Sequence, residues 1–433
     1  MIVEFPPNLN YIGSECYASC AKLDNISLPK TLNQIESAAS RNCKSLTSIV
    51  IPFNVSTISN YCFSKCTSLA SIEVEKGVKE IGPRAFEESN SFTSIAIPEG
   101  VIKFGEYCFR LCTSLVNIET PEGVQKFDNG AFMDNPSLDK LYIPNSTTSI
   151  GNELCQSCTY LKSVTLSCNL KIIPYSAFRY CNFLVDIELP NLITIIEGYD
   201  FEFCTSLPSS KLPESIERID QDAFKNCEKI ERIIIPQKVT KIEYETFLSC
   251  FSLASIKLPD NVTAIGPGAF KNDYELIEIN WPTNLTKIEY RVFENCYSFP
   301  PIIFQNKLIE IGSNAFTNCI RLGSVRLPES LVKIEDGAFY LCRLLRSIEI
   351  PPKVEGIPTS AFQDCNNLKT VRMNDNISYI NSHAFHLCYS LRSIKIPKKC
   401  SVVSSYAFSQ CHHISIVVLQ EGLTVSCKNI KIM

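Results

Sequence analysis

The stretch Leu322–Cys342, LGSVRLPESLVKIEDGAFYLC, ends in a cysteine that recurs. Cys319 closes IGSNAFTNC 23 residues earlier, and Cys365 closes IPTSAFQDC 23 residues later. Aligned on this residue, the chain repeats at positions 20, 43, 66, 89, 112, 135, 158, 181, 204, 227, 250, 273, 296, 319, 342, 365, 388 and 411, always 23 apart. Cysteine fills 15 of the 18 positions, with Ser89, Asn135 and Asp273 as exceptions. Phenylalanine fills 15 of 18 positions three residues earlier, with Tyr17, Ser40 and Cys155 departing. Three residues after the cysteine every position is apolar, as at Leu138, Leu253 and Leu391. A register held over so many copies describes a repeat architecture rather than a string of globular domains.

Within a unit, the SIxIP segment alternates apolar and polar residues with β-branched enrichment, which predicts a short strand. Proline at 328, 351 and 397 follows it, ending ladder pairing because it has no N–H. In the IGxxAFxxC segment, Ile334, Ala338, Phe339 and Cys342 share one face at helical spacing, which predicts a helix of about two turns. A lone 23-residue coil cannot bury both its strand and its helix face, whereas stacked coils bury each other. The expected fold is an α/β solenoid with one continuous parallel sheet and short helices on the opposite side. It is expected to form a single domain over residues 1–433, about 18 units with part-units at both ends. At roughly 4.8 Å per coil the sheet would run about 85 Å. No capping module is visible, so self-association through uncapped ends is an expectation, with the tail KNIKIM a makeshift strand cap.

The 23-residue unit with its strand, IPxxVxxIGxxAFxxC, resembles the BspA-like (Treponema-type) leucine-rich-repeat family over essentially the whole chain. The resemblance implies a leucine-rich-repeat superhelix. It also implies a non-enzymatic, surface-antigen-like role in adhesion or recognition, with host matrix or cell-surface proteins as partners. The alternative is an intracellular protein–protein interaction scaffold of the same architecture.

Composition narrows the chemistry. A net charge of −4 argues against a nucleic-acid binder, and no apolar run approaches the length of a membrane span. The N-terminal MIVEFPPNLNYIG lacks the basic and apolar segments of a secretory signal. Family resemblance therefore points to the cell surface or secretion, while the missing signal and unpaired cysteines point to the cytoplasm. No GxSxG, HExxH or phosphate-cradling glycine loop occurs, and no histidine precedes His383, so no enzyme, cofactor or metal is expected.

The aligned cysteines, among 22 in all, are expected to be buried free thiols. Equivalent side chains on stacked coils sit too far apart for a disulfide ladder. Phe316, Cys319, Phe339, Cys342, Phe362 and Cys365 are accordingly structural core. Cys155-Gln-Ser-Cys158 spells a lone CxxC, a weak zinc or redox signal in slots that face inward. His383 and His386 could share a helix face, yet exposed polar residues explain them as well. Six N-glycosylation sequons, at Asn25, Asn54, Asn145, Asn261, Asn284 and Asn376, matter only in a secretory compartment.

The outward strand positions are the candidate binding face. Between the two inward strand residues lie Glu73, Glu119 and Glu188, then Lys211, Lys257, Arg326, Arg372 and Lys395, with Glu349 an exception. Neighbouring outward positions add Arg346, Lys369 and Arg392. A basic band beside an acidic one is expected to recruit an acidic protein surface, against the alternative that the charge merely keeps the sheet soluble.

Overall fold

In the computed structural model the described residues are 2, 3, 5–209 and 211–418; the KNIKIM tail lies outside them. The chain divides into two compact units, Met1–Ser215 and Ile216–Met433. Each is a parallel β-solenoid in which one coil corresponds to one 23-residue repeat.

Coils supply two short strands each, except that the segment holding Lys211, expected to be an outward strand position, forms no strand among the described residues. The first carries the SIxI segment: in unit 1, Ser48–Ile51 pairs in parallel with Ser71–Val74, matching Val50 with Glu73. In unit 2, Ser347–Glu349 pairs with Thr370–Arg372, matching Glu349 with Arg372. Partners are always 23 residues apart, so each repeat slot becomes a row running from coil to coil. Proline ends this strand by opening a turn whose carbonyl accepts the N–H three residues on, as from Leu331 to Pro328 at 3.1 Å. The second strand is two residues long; Lys287–Ile288, Glu310–Ile311 and Lys333–Ile334 form one such ladder.

The expected helices are not there: the described residues contain none. The AFxxC segment instead alternates two kinds of backbone hydrogen bond. Gly337, Phe339 and Leu341 donate to Thr359, Ala361 and Gln363 of the next coil, each at 2.9 Å. Ala338, Tyr340 and Cys342 donate locally to the carbonyl three residues back, at 3.3, 2.9 and 3.2 Å. Left-handed residues make this alternation possible, since Gly337 and Leu341 have φ of 64° and 61°. The same two slots, five and one before the cysteine, are left-handed in every coil, from Glu15 and Ser19 to Tyr406 and Gln410. An α-helix needs an unbroken right-handed run, so these residues forbid one. The third side of each coil is therefore a further inter-coil ladder built of turns.

Ile334, Ala338, Phe339 and Cys342 still point inward, as expected, and all are buried. Phenylalanine rings stack from coil to coil, with centroids 5.4 Å apart for Phe316–Phe339 and 5.5 Å for Phe339–Phe362. Phe316, Cys319, Phe339, Cys342, Phe362 and Cys365 are fully buried.

Candidate binding face

The cysteine row does more than fill space. The Cys342 thiol donates to the Phe316 carbonyl at 3.2 Å, and Cys365 to Phe339 at 3.3 Å. Two non-cysteine occupants keep this bond: Ser89 Oγ donates to Phe63 O and Asn135 Nδ2 to Phe109 O, both at 2.8 Å. The slot selects a small hydrogen-bond donor. Burial pushes the Cys43 thiol up to about 11 and the Cys66 thiol up to about 12, which keeps both protonated, donating and unreactive. All cysteines among the described residues are free.

The remaining chemical candidates dissolve on inspection of their surroundings. Cys155 and Cys158 are fully buried, and burial pushes the Cys155 thiol up. His383 shares no helix face with His386, because it is a left-handed turn residue with φ of 57°, although the two rings meet edge to face with centroids 5.2 Å apart. Its ring stacks on Tyr406 at 5.2 Å, while His386 Nδ1 lies 3.0 Å from both the carbonyl and the hydroxyl of Ser409. Among the described residues no three His, Cys, Asp or Glu side chains gather into a metal-binding group. Three sequon asparagines clamp successive coils: Asn54, Asn261 and Asn376 donate Nδ2 to the carbonyls of Lys30, Gln237 and Pro352 at 2.8, 2.8 and 3.0 Å.

The strand face differs from the second ladder in how its charge is used. On the second ladder, cations and carboxylates neutralise each other. In unit 1, Lys103 lies 2.7 Å from Glu80 and 3.4 Å from Asp128. In unit 2, Lys241 pairs with Glu243 at 2.7 Å, and Lys287 and Lys333 both reach Glu310, at 3.9 and 3.7 Å. On the strand face of unit 2, Lys257, Arg326, Arg346, Lys369, Arg372, Arg392 and Lys395 are exposed and make no ion pair among the described residues. Glu73, Glu119, Glu188 and Lys211 of unit 1 are exposed and unpaired in the same sense, although Lys162 and Asp139 do pair at 2.7 Å on that face.

Two shallow hollows sit on these strand faces. In unit 2, a hollow of about 580 Å³ is lined by Arg326, Ser347, Glu349, Pro351, Thr370 and Arg372. In unit 1, one of about 500 Å³ is lined by Thr165, Cys168, Asp186, Glu188 and Pro190. Sequence reasoning centred on charge missed three isoleucines on the unit 2 face. Ile234, Ile277 and Ile303 are 60%, 58% and 63% exposed. Ile234 and Ile303 occupy the same outward slot as Lys257 and Arg326, so slot alignment already contained the signal.

The repeat matches the model of the BspA type leucine-rich repeat region over residues 2–91, 79–192, 171–300 and 293–415. The chain belongs to the BspA-type leucine-rich-repeat family. A leucine-rich repeat protein from Bacteroides ovatus is 28% identical, covers 86% of this chain and 91% of its own, and superposes with a TM-score of 0.66. A leucine rich cell surface protein from Faecalibacterium prausnitzii is 26% identical over 84% of this chain and 83% of its own, with a TM-score of 0.39. The T. pallidum leucine-rich repeat protein is 27% identical over 42% of this chain and 78% of its own, with a TM-score of 0.36. No curated protein matches the chain. In this BspA-type repeat the AFxxC consensus builds the coil-to-coil ladder, and the outward strand slots vary.

Proposed function

We propose that this chain is a non-enzymatic protein-binding protein, an adhesion or recognition module of the surface-antigen kind, whose strand face takes the partner. The observation that carries the reading is the contrast between faces: cations on the second ladder are neutralised, and those from Lys257 to Lys395 on the strand face are not. Unpaired arginines beside exposed Ile234, Ile277 and Ile303 have the make-up of a protein interface, where apolar anchors and arginine dominate. A polyanion such as nucleic acid would leave the isoleucines unused.

The thiol row favours a second setting for the same binding activity, an intracellular scaffold. Thiols of the row such as Cys342 and Cys365 serve as hydrogen-bond donors, which they can do only while reduced.

The test uses the full chain and Arg326→Glu/Arg372→Glu/Lys395→Glu to capture proteins from cell extract and from purified matrix proteins at two salt concentrations. Capture should fall about ten-fold or more in the variant and weaken at higher salt for the parent. Unchanged capture by a folded variant removes the basic band as the site.

A further inference from the structure

The outward strand slot of unit 1 holds Glu73, Glu119 and Glu188, and that of unit 2 holds Lys257, Arg326 and Arg372. The spacings match in reverse. From Lys257 to Arg326 is three coils, and from Arg326 to Arg372 is two. From Glu188 back to Glu119 is three coils, and from Glu119 back to Glu73 is two. All six side chains are exposed, and none makes an ion pair among the described residues.

We propose that the strand face of unit 1 in one copy of this chain packs on the strand face of unit 2 in a second copy, with coil order reversed. Glu188 then lies opposite Lys257, Glu119 opposite Arg326 and Glu73 opposite Arg372. Turning the second face over about the strand direction reverses its coil order while setting every slot opposite itself. The inference rests on the reading that the strand face is the contact surface, and it names a second copy as the acidic partner.

Much of the rest of the face agrees with this register, while Lys211 and Lys395 fall opposite the apolar Ile234 and Val50. Tyr142, 37% exposed, falls opposite Ile303, 63% exposed, so two solvent-facing apolar side chains cover each other. Polar Thr165 falls opposite polar Asn280, and small Ala96 leaves room for Glu349. In the adjoining outward rows, Ser94 faces Ser347 and Ser71 faces Thr370, while Arg346 and Lys369 face Thr93 and Ala70. Across these three rows no two like charges fall opposite each other. Like-charge opposition is the usual cost of bringing two charged sheets together, and this register avoids it.

The contact is held by exposed charge, so it should respond to salt and to charge reversal. Sedimentation velocity of the full chain at ~50 and ~500 mM NaCl is expected to show self-association at the lower salt and about ten-fold weaker association at the higher. Glu119→Arg alone and Arg326→Glu alone each set like charges opposite and should weaken association about ten-fold or more. Glu119→Arg combined with Arg326→Glu restores opposite charges with the signs exchanged and should recover it. Circular dichroism and Tm confirm that the exposed substitutions leave the fold intact. A parent that stays monomeric at low salt, single reversals without effect, or a double variant without recovery would each overturn the proposal. If the parent stays monomeric while Arg326→Glu/Arg372→Glu/Lys395→Glu loses capture from extract, self-pairing fails and the protein-binding reading stands. If the double variant recovers association while extract capture ignores the charge, self-pairing stands and the foreign partner is lost.

Discussion

At the scale of single residues, the cysteine slot shows how a consensus can hide its own chemistry. Its smallness and burial are legible from the repeat, because the slot lies at a constant offset from phenylalanine. Its requirement for a donor is not, since the carbonyl it serves belongs to the preceding coil and is 26 residues away in sequence. Asp273 tests that requirement. Its Oδ1 accepts the Cys250 N–H at 2.9 Å, while Oδ2 is buried without a hydrogen-bond partner. Burial pushes this carboxyl well above its ordinary 3.8, and Cys250 and Cys296 are the ionisable groups beside it. A folded-state pKa raised above the unfolded value gives stability that is complete below about 3.8 and is lost as pH rises through the folded pKa. Asp273→Asn should raise Tm at neutral pH and abolish this part of the pH dependence, as Asn135 supplies the donor at the same slot. Thermal melts of both chains across pH check it. A Tm difference that does not grow with pH would show that Asp273 is not held neutral.

At the scale of the element, strand positions were readable and the third side was not. The alternation in SIxI determines which side chains face inward, and the ladder Ile348–Val371 obeys it. The AFxxC segment misled because a helix face and this turn put the same residues inside. Both place residues four apart on one side, and periodicity alone does not distinguish them. The distinguishing signal was an avoidance. Neither left-handed slot holds valine, isoleucine, threonine or proline in any of the 18 copies, and the slot before the cysteine is rich in asparagine. Asn318, Asn295 and Asn272 also chain their side-chain amides from coil to coil at 2.9 Å, a ladder unavailable on a helix. Ser360 is left-handed with φ of 55°. Ser360→Val should cost about 1–2 kcal/mol by forcing a β-branched residue into that region, and Ser360→Gly should be neutral or stabilising. Denaturant unfolding gives the order; valine as stable as glycine would mean the segment does not hold this backbone.

At the scale of the whole molecule, the consensus describes construction and the variable slots describe recognition. Within each unit the outward charges could be placed on the strand face by counting alone, because coil spacing is constant. Whether they were already neutralised could not be counted, since pairing depends on which side chains reach each other between coils. Lys103 and Lys333 are engaged in that way; Arg326 and Arg372 are not. The most direct measurement is lysine acetylation footprinting of the full chain, alone and with a protein captured from extract. Lys257, Lys369 and Lys395 should lose reactivity in the complex, while Lys241, Lys287 and Lys333 on the second ladder keep theirs. Protection of the second-ladder lysines, with the strand-face lysines still reactive, would contradict the account.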